Sequence, residues 1–386
     1  MEVIDRMDDM FSRAAQYILG VIDQRRPIMV RHHNDADGLC AAVALERAIM
    51  PILEDKYKDY WYRYYDRRSS RTPFYSYADA TRDADLALTN QRRFDKEQPL
   101  LIILDNGSSE SDLEGIRKFS VFFSDILVID HHFPGEIKDG KCAVDGFVRV
   151  HVNPHLVGVT EGLSSGILAA EIAKRMGAQK DSVDWIAAVS AIADKAQDQV
   201  RQSYIASSGK DQAWLERFAL ALDFEAFQTR FMHTPNIFSR LFGEDNQSLL
   251  DVIVPLAEER IAQATTILKA HCAPVKRGDI TVLVFDVESV SARDEFPPAG
   301  KLVGLAHRLS DPPRITAGVA PDFIVFRADG VPAFDVNALV SSLRQRFPAE
   351  GISGGGHAVA GALRFIPAAK EKVLQGVNEY IESLVR

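Results

Sequence analysis

Val30-Arg-His-His-Asn-Asp-Ala-Asp-Gly-Leu-Cys40 is a largely polar stretch that joins a predicted strand to a predicted helix. Residues 27–30 are apolar and partly β-branched, which predicts a buried strand, and residues 39–48 have the apolar period of a helix. Three potential metal ligands lie between them at alternating positions: His33, Asp35 and Asp37. Oxygen ligands with an imidazole suit Mn²⁺ or Mg²⁺, whereas a structural zinc site would favour thiolates. The alternative is an acidic turn whose aspartates cap the helix.

The composition is that of a globular protein with more than one domain. A chain of 386 residues exceeds what one hydrophobic core usually covers, which predicts two domains. The acidic N-terminus and the lack of a long apolar run predict neither a signal peptide nor a membrane span. Three widely spaced cysteines indicate no disulfide framework, so we expect a cytoplasmic protein. The net charge of −9 argues against tight non-specific binding to duplex DNA.

Two further apolar runs end directly in acidic or imidazole side chains. Leu100–Leu104 precedes Asp105, and Ile126–Ile129 precedes the triplet Asp130-His131-His132. In an open α/β sheet the carboxyl ends of parallel strands meet at one edge, so the side chains that follow them lie close together. Together with the first motif, these endings would place acids and histidines from successive strands at one edge. The sequence therefore predicts a metal-binding constellation rather than an isolated acidic turn.

The middle of the chain is predicted to be mainly helical. Residues 147–152 indicate a further strand, and residues 163–177 indicate a helix rich in alanine and isoleucine. Residues 184–194 form a strongly apolar helix that ends in Asp194. A lone aspartate at such a place is, without context, more often a solvated helix end than a ligand. The preceding apolar run suggests burial, which makes an unpaired carboxylate costly and a metal partner for Asp194 attractive. The helical pattern continues from residue 199 to residue 273.

Residues 57–77 differ from their surroundings because tyrosines alternate with arginines. The arginines are Arg63, Arg67, Arg68 and Arg71. Aromatic and guanidinium groups in alternation can form a stacking surface for single-stranded nucleic acid. The alternative is a β-strand over residues 61–65 followed by a solvated loop, and the sequence favours neither interpretation.

A second α/β pattern begins towards the C-terminus. Residues 280–285 and 323–326 predict strands, and residues 336–347 predict a helix. Beyond them, Gly354-Gly-Gly-His357 predicts a loop whose backbone N–H groups could point at an anion, followed by a helix of small residues. The alternative is a tight turn without a ligand.

The combination of these motifs resembles the DHH phosphoesterase superfamily, which takes its name from the triplet Asp130-His131-His132. The first motif, from His33 to Gly38, is more similar to the archaeal-type RecJ proteins than to the oligoribonucleases. Gly354-Gly-Gly-His357 resembles the signature of the DHH-associated C-terminal domain. The resemblance covers nearly the whole chain and implies an α/β fold with three parts: a parallel-sheet DHH domain at residues 1–200, a helical connector at 201–275 and a smaller α/β domain at 276–386.

The resemblance also implies roles for individual residues, with two Mn²⁺ ions, or Mg²⁺, as the cofactors. One ion would be held by His33, Asp35 and Asp105. The other would be held by Asp37, Asp105, His131 and Asp194. The catalytic residues would be Asp105 and His132, with His132 near the scissile phosphate. The substrate would be bound from across an interdomain cleft by Gly354, Gly355, Gly356, His357 and Arg327.

The implied activity is that of a metal-dependent phosphodiesterase or exonuclease, which uses metal-activated water on single-stranded DNA, RNA or short oligonucleotides. A first alternative is hydrolysis of a small phosphorylated molecule, such as a cyclic dinucleotide, pAp or polyphosphate, which needs no basic channel. A second is a catalytically silent, nucleic-acid-binding replication scaffold, which we would expect to have lost metal ligands. No membrane partner is expected. The direction of attack, the choice between DNA and RNA, and the oligomeric state, monomer or dimer, stay open.

Overall fold

The chain divides into two compact units, Met1–Val254 and Pro255–Arg386. The computed structural model describes residues 2–70, 72–159, 162–230, 232, 236–243, 246–292 and 295–385. Of the individual residues named above, Arg71 lies outside these ranges. The predicted domain boundaries at residues 200 and 275 stay predictions.

The first unit contains a five-stranded sheet in which all neighbouring strands are parallel. Its strands are β1 Ile28–His32, β2 Tyr65–Ser69, β3 Leu100–Leu104, β4 Ile126–Ile129 and β5 Val150–Val152. They lie in the order β2-β1-β3-β4-β5. Strands β1, β3 and β4 are buried along their whole length. Their continuous apolar runs fit a parallel sheet that is covered by helices on both faces.

Helices pack on both faces of this sheet. Those that lie wholly in the first unit are α1 Glu2–Asp5, α2 Asp8–Asp23, α3 Ala36–Tyr57, α4 Tyr77–Phe94, α5 Leu113–Ser120, α6 Ser165–Arg175, α7 Lys180–Ala193, α8 Asp198–Ser207, α9 Gln212–Gln228 and α10 Asn236–Leu241. On one face, Phe119 of α5 and Ala84 of α4 pack with Leu101 and Ile103 of β3 in a buried core. Helices α2, α3 and α6 contact the strands from the other face.

The observed elements confirm the predicted α/β class and the strands that precede the polar motifs. Helix α3 contains a proline, Pro51, in its interior. Proline is usually tolerated only near the start of a helix, yet α3 continues through Pro51 to Tyr57. Pro51 is exposed, so its ring lies away from the buried side that packs against α6 and α7. Tertiary packing of that side outweighs the missing backbone hydrogen bond.

The segment rich in tyrosine and arginine contains some internal ring contacts, whereas Tyr60, Tyr62 and Tyr77 are exposed. The alternative of a strand over residues 61–65 is wrong, because Lys58–Arg63 forms a 3₁₀ helix and β2 begins only at Tyr65. Tyr57 stacks on Tyr64 with ring centroids 3.6 Å apart, and the guanidinium of Arg63 lies 4.5 Å from the ring centroid of Tyr60. Residues 57–64 precede β2 and therefore lie at the amino ends of the parallel strands, whereas the polar motifs follow the carboxyl ends. The stacking surface for nucleic acid stays a prediction.

A buried arginine on β1 holds α4 to the sheet. Arg31 is 2% exposed, and its guanidinium donates to both carboxylate oxygens of Asp83, with Nε 3.0 Å from Oδ2. It also donates to the carbonyl of Ser69 at 2.6 Å. Asp79, 3.6 Å from Arg31, adds a second buried carboxylate. Asp79 also lies 3.5 Å from Arg82, so the loss of Arg31 would affect Asp83 most.

Replacing Arg31 by methionine is expected to lower the free energy of unfolding by about 3–5 kcal/mol, since it leaves the buried carboxylate of Asp83 without its cation. Urea unfolding followed by circular dichroism measures the change. The matched control is Arg217→Met, which breaks the exposed ion pair with Asp251 (2.9 Å). That variant should lose about 0–1 kcal/mol. Equal losses of stability in both variants would contradict the role of Arg31 as the buried cation that holds α4 to the sheet.

The second unit contains a six-stranded mixed sheet in the order β10-β11-β9-β8-β7-β6. Its strands are β6 Val275–Arg277, β7 Ile280–Asp286, β8 Arg314–Val319, β9 Phe323–Asp329, β10 Ser353–His357 and β11 Ala360–Arg364. Its helices are α12 Ala299–His307, α13 Val336–Arg346 and α14 Lys370–Ser383, and α11 Asn246–His271 crosses the division at Pro255. The strands predicted near residues 280 and 323 and the helix near 336 are confirmed. None of the described helices is long and apolar enough to cross a membrane.

The glycine-rich segment does not form the predicted loop and helix. Gly354, Gly355 and Gly356 lie in the edge strand β10, and the chain returns after His357 as the antiparallel strand β11. The three glycines have φ values of 134°, 149° and 138°, which residues with a side chain rarely adopt. A β-carbon at Gly356 would lie 2.8 Å from the carbonyl oxygen of Ala360. The hairpin itself therefore requires these glycines, whether or not they bind a ligand.

Candidate metal centre

The carboxyl ends of β1, β3 and β4 lie side by side and bring the predicted motifs together. The N–H of His33 donates to the carbonyl of Leu104 at 3.1 Å, and the N–H of Asp105 donates to the carbonyl of Ile129 at 2.9 Å. Parallel pairing therefore continues one residue beyond each strand. The polar residues that follow the strands start from the same edge of the sheet, as the pattern of strand endings predicted.

Two groups of donor atoms at this edge match the predicted ion sites, and they share Asp105, which also belongs to a third group with Asp130 and His132. In the first, His33 Nδ1 lies 2.9 Å from Asp35 Oδ2 and 3.3 Å from Asp105 Oδ2. In the second, His131 Nε2 lies 3.4 Å from Asp105 Oδ1 and 3.7 Å from Asp37 Oδ2. Within each group the three donor atoms lie within 4.8 Å of one another. Asp105 thus offers one oxygen to each group, as a carboxylate that bridges two cations would.

Asp194 lies beside the second group but on the other side of the His131 ring. Its Oδ2 is 3.6 Å from His131 Nδ1, whereas Nε2 faces Asp37 and Asp105. Of the candidate ion-binding groups found among the described residues, none contains Asp194. A carboxylate in this position can orient the ring of a ligating histidine. The ligand role of Asp194 stays a prediction, and orientation of His131 is its structural alternative.

Burial and charge make this centre favour a cation. Asp37 is 3% exposed and Asp105 is 1% exposed. Burial and the neighbouring charge of Asp105 raise the pKa of Asp37 well above its usual range. Burial also acts to raise the pKa of Asp105, but hydrogen bonds with His131 and His33 outweigh it and hold that pKa well below its usual range. Closely packed carboxylate and imidazole donors without thiolates fit a hard divalent metal.

The start of helix α6 holds two of these carboxylates, a role that the sequence did not reveal. The N–H groups of Ser165 and Gly166 donate to Asp37 Oδ2 and Oδ1, each at 2.9 Å. The Ser165 hydroxyl donates to Asp105 Oδ1 at 3.0 Å, and the Ser190 hydroxyl donates to Asp37. The only sequence signal was the pair of serines before a glycine at a helix start. That signal is common at helix N-termini and indicates no partner.

The third motif divides its roles between Asp130 and the two histidines. Asp130 Oδ1 accepts from the N–H groups of His131 (2.9 Å) and His132 (3.2 Å), and lies 2.8 Å from His132 Nδ1. Burial acts to raise the pKa of Asp130, but His132 outweighs it and lowers the pKa to about 2. The His132 side chain is 33% exposed. An ionised Asp130 therefore orients a histidine that solvent can reach.

The predicted substrate-binding residues lie together within the second unit. Arg327 in β9 pairs with Ala360 in β11, and Ala360 pairs with His357 in β10. Arg327 and His357 are therefore two strands apart at the same level of the sheet. Their predicted action on a substrate across an interdomain cleft stays a prediction.

Comparisons with known proteins agree with this geometry. The model of the DHH family, N-terminal domain, matches residues 27–194. A solved DHH domain, described as belonging to a family of ribosomal proteins, is 30% identical with a TM-score of 0.88, and the match covers 99% of this chain and 92% of that one. The chain belongs to the DHH family. The predicted membership is confirmed.

Other DHH relatives differ more in length or in sequence. An uncharacterised protein of Methanocaldococcus jannaschii is 33% identical over 419 residues, which cover 99% of this chain and 55% of that protein. The chain therefore spans about half the length of this curated relative.

Solved RecJ structures share the fold of this DHH protein at low identity. RecJ from Thermus thermophilus in complex with Mn²⁺ has a TM-score of 0.63 at 18% identity, with 96% of this chain and 54% of that one covered. An exonuclease RecJ bound to manganese has a TM-score of 0.60 at 16% identity, with 96% and 94% covered. At these identities the likeness establishes the fold.

Proposed function

We propose that this chain is a metal-dependent phosphodiesterase that hydrolyses single-stranded nucleic acid or short oligonucleotides with Mn²⁺. The observation that carries the proposal is the pair of donor groups that share Asp105 through its two oxygens. When bound, two divalent cations supply the Lewis-acid chemistry that activates water and neutralises phosphoryl oxygens. The RecJ neighbours solved with Mn²⁺ support this choice of metal, and Mg²⁺ is the alternative.

The side chains of this centre would hold the metals and orient the substrate. One ion would be held by His33, Asp35 and Asp105. The other would be held by Asp37, Asp105 and His131, with Asp194 either as a further ligand or behind His131. The His132 ring, held through Nδ1 by Asp130, would donate from Nε2 to a phosphoryl oxygen. That bond would strengthen as negative charge develops on the phosphate, which is how it would favour the transition state.

An exposed aromatic ring beside the centre supports a substrate that carries bases. Phe133 follows His132 directly, is 41% exposed and packs edge-on against His155, with ring centroids 5.6 Å apart. A nucleobase can stack on such a ring, whereas a polyphosphate chain has no group that would. The net charge of −9 suits short substrates, which need no extended basic channel. Cyclic dinucleotides and pAp are the small-molecule alternatives.

Hydrolysis across one substrate panel with Mn²⁺ tests the proposal. The panel contains end-labelled single-stranded DNA and RNA of graded length, a dinucleotide, a cyclic dinucleotide, pAp and polyphosphate, each with an EDTA control. We expect EDTA-sensitive cleavage of oligonucleotides, and a larger loss in Phe133→Ala on base-containing substrates than on polyphosphate. Cleavage of polyphosphate alone would contradict the substrate class. No cleavage and no bound metal would favour a silent scaffold.

A further inference from the structure

A chain of buried hydrogen bonds runs behind the third motif and uses residues to which no function has been assigned. Asp145 Oδ1 lies 3.0 Å from His151 Nδ1, and His151 Nε2 lies 2.9 Å from Ser108 Oγ. Asn153 Nδ2 then donates to Ser108 Oγ and to the backbone carbonyl of His132, each at 2.9 Å. This hydrogen-bond network thus links three segments of the first unit: the loop after β3 (Ser108), the segment before β5 (Asp145) and β5 itself (His151).

The two ends of this hydrogen-bond network have defined donors and acceptors. Asn153 Oδ1 accepts from the N–H of His155 at 3.0 Å, so the amide nitrogen must face Ser108 and His132. Burial acts to raise the pKa of Asp145, but the hydrogen bond with His151 outweighs it and lowers the pKa. The ionised Asp145 accepts from His151 Nδ1–H, and His151 Nε2 is bonded to the Ser108 hydroxyl. Both ring nitrogens of His151 are therefore engaged inside this network.

The hydrogen-bond network also reaches the His132 ring through Asp130. The N–H of Ser108 donates to Asp130 Oδ2 at 3.2 Å, and the other oxygen of Asp130 lies 2.8 Å from His132 Nδ1. Ser108 and Asn153 are 0% exposed, and Asp130 is 1% exposed. The backbone and the ring of His132 are therefore both held by the same buried network.

The order Asp145, His151, Ser108 has the bonding pattern of a hydrolase triad, but it cannot act as one. The Ser108 hydroxyl is fully buried and already engaged by His151 and Asn153. A nucleophile has to reach the reacting atom of a substrate. The pattern fits a positioning role, because partners behind a site orient the groups that act in it.

We propose that Asp145, His151, Ser108 and Asn153 form a positioning relay that holds His132 in its working orientation towards the substrate phosphate. The proposal rests on the hydrolytic function proposed above. The relay touches His132 and Asp130 and contacts none of the predicted metal ligands through the bonds described. It should therefore govern the rate of the chemical step more than the affinity for metal or substrate.

The test compares Ser108→Ala, His151→Asn and the double variant with the wild-type chain. Each single change should lower kcat by about 10–100-fold, as expected for partners that orient a functional group. KM and the Mn²⁺ dissociation constant, the latter measured by calorimetry, should stay within about threefold, because the ligands are untouched. The double variant should be no slower than the slower single variant, since one broken link already disconnects the relay.

The matched control is Tyr17→Phe, which also removes one hydroxyl. Tyr17 donates to Asp125, the residue before β4, at the end of that strand opposite the third motif. It should lower the melting temperature as Ser108→Ala does and leave kcat unchanged. Equal effects on kcat in Tyr17→Phe and Ser108→Ala, or unchanged kcat in the relay variants, would overturn the proposal. A fall in Mn²⁺ affinity that matches the fall in kcat would also overturn it.

A second readout does not depend on activity. Nitrogen NMR of histidine-labelled protein should show His151 protonated at Nδ1, the nitrogen that faces Asp145, and Ser108→Ala should shift the ring signals of His132. An unchanged His132 spectrum would refute the relay. If the wild-type chain hydrolyses nothing in the panel, the proposed function fails, and the NMR result alone then decides whether the relay exists.

Discussion

Replacing Asp105 by asparagine is expected to lower hydrolysis by well over a hundredfold, since even partners behind metal ligands change activity by about 10–100-fold. Asp105 offers Oδ2 to the group of His33 and Oδ1 to the group of His131. Asparagine has one neutral carbonyl oxygen and one amide nitrogen, so it cannot bridge two cations. Mn²⁺ affinity measured by calorimetry should fall together with activity. Retention of full activity would contradict both the metal centre and the proposed function.

Asparagine is a better replacement than alanine because of the backbone at this position. Asp105 has a φ of 58°, in the left-handed region. Asparagine tolerates this region, whereas alanine would add strain of roughly 1–2 kcal/mol. Loss of activity in Asp105→Ala would therefore mix lost metal with a distorted loop. Asparagine can also still accept the hydrogen bond from Ser165. The variant therefore differs from the wild type mainly in the lost charge and the lost second oxygen.

Asp184→Asn is the matched control for Asp105→Asn. Asp184 is also 1% exposed, but it lies on α7 and pairs with Lys174 at 2.9 Å, away from the donor groups. We expect this variant to be less stable in thermal unfolding and to keep wild-type activity and Mn²⁺ affinity. Loss of activity in both variants would mean that burial of charge, rather than metal binding, explains the effect.

Replacing Gly38 by alanine is expected to displace the metal-binding residues of the first motif, although alanine normally favours helix formation. Gly38 lies in the first turn of α3, where its N–H donates to Asp35 Oδ1 at 2.9 Å. A β-carbon there would overlap the carbonyl oxygen of His33 and lie 2.9 Å from its carbonyl carbon. Backbone atoms cannot move aside as a side chain can. The loop that carries His33 and Asp35 must shift, at a cost of about 1–3 kcal/mol.

The expected result for Gly38→Ala is a fall in Mn²⁺ affinity and in activity of about tenfold or more, as for other changes that displace metal ligands. Calorimetry and the oligonucleotide assay measure both. The control is Gly20→Ala in α2, where a β-carbon would meet nothing within 4 Å. That variant should keep its activity and gain up to roughly 1 kcal/mol in stability. Wild-type Mn²⁺ affinity in Gly38→Ala would refute the steric argument.

Several features of the centre were predictable because they are local in sequence. An apolar run followed at once by Asp105, or by Asp130-His131-His132, indicates both a buried strand and the chemistry at its end. Parallel topology then places these endings at one edge without any further information. The sequence predicted the ligand types and their common location in this way.

Other features depend on contacts between positions that are distant in sequence. Ser165 meets Asp37 across 128 positions, and Ser190 meets it across 153. Serine at a helix start and histidine within a strand are ordinary residues, so nothing local marks Ser165 as a partner of the metal centre or His151 as a partner of Ser108. The same holds for Gly354-Gly-Gly356, where only the pairing with β11 shows that the glycines serve a hairpin.

The sequence by itself determined the family, the α/β class and the set of carboxylates and histidines at the sheet edge, because strand patterns and their polar endings are short-range signals. Only the tertiary structure decided how those groups are held: which oxygen of Asp105 faces which histidine, which ring nitrogen of His131 faces Asp194, and which buried partners orient His132. Those choices depend on hydrogen-bond geometry between segments. Packing sets that geometry, and residue order does not encode it locally.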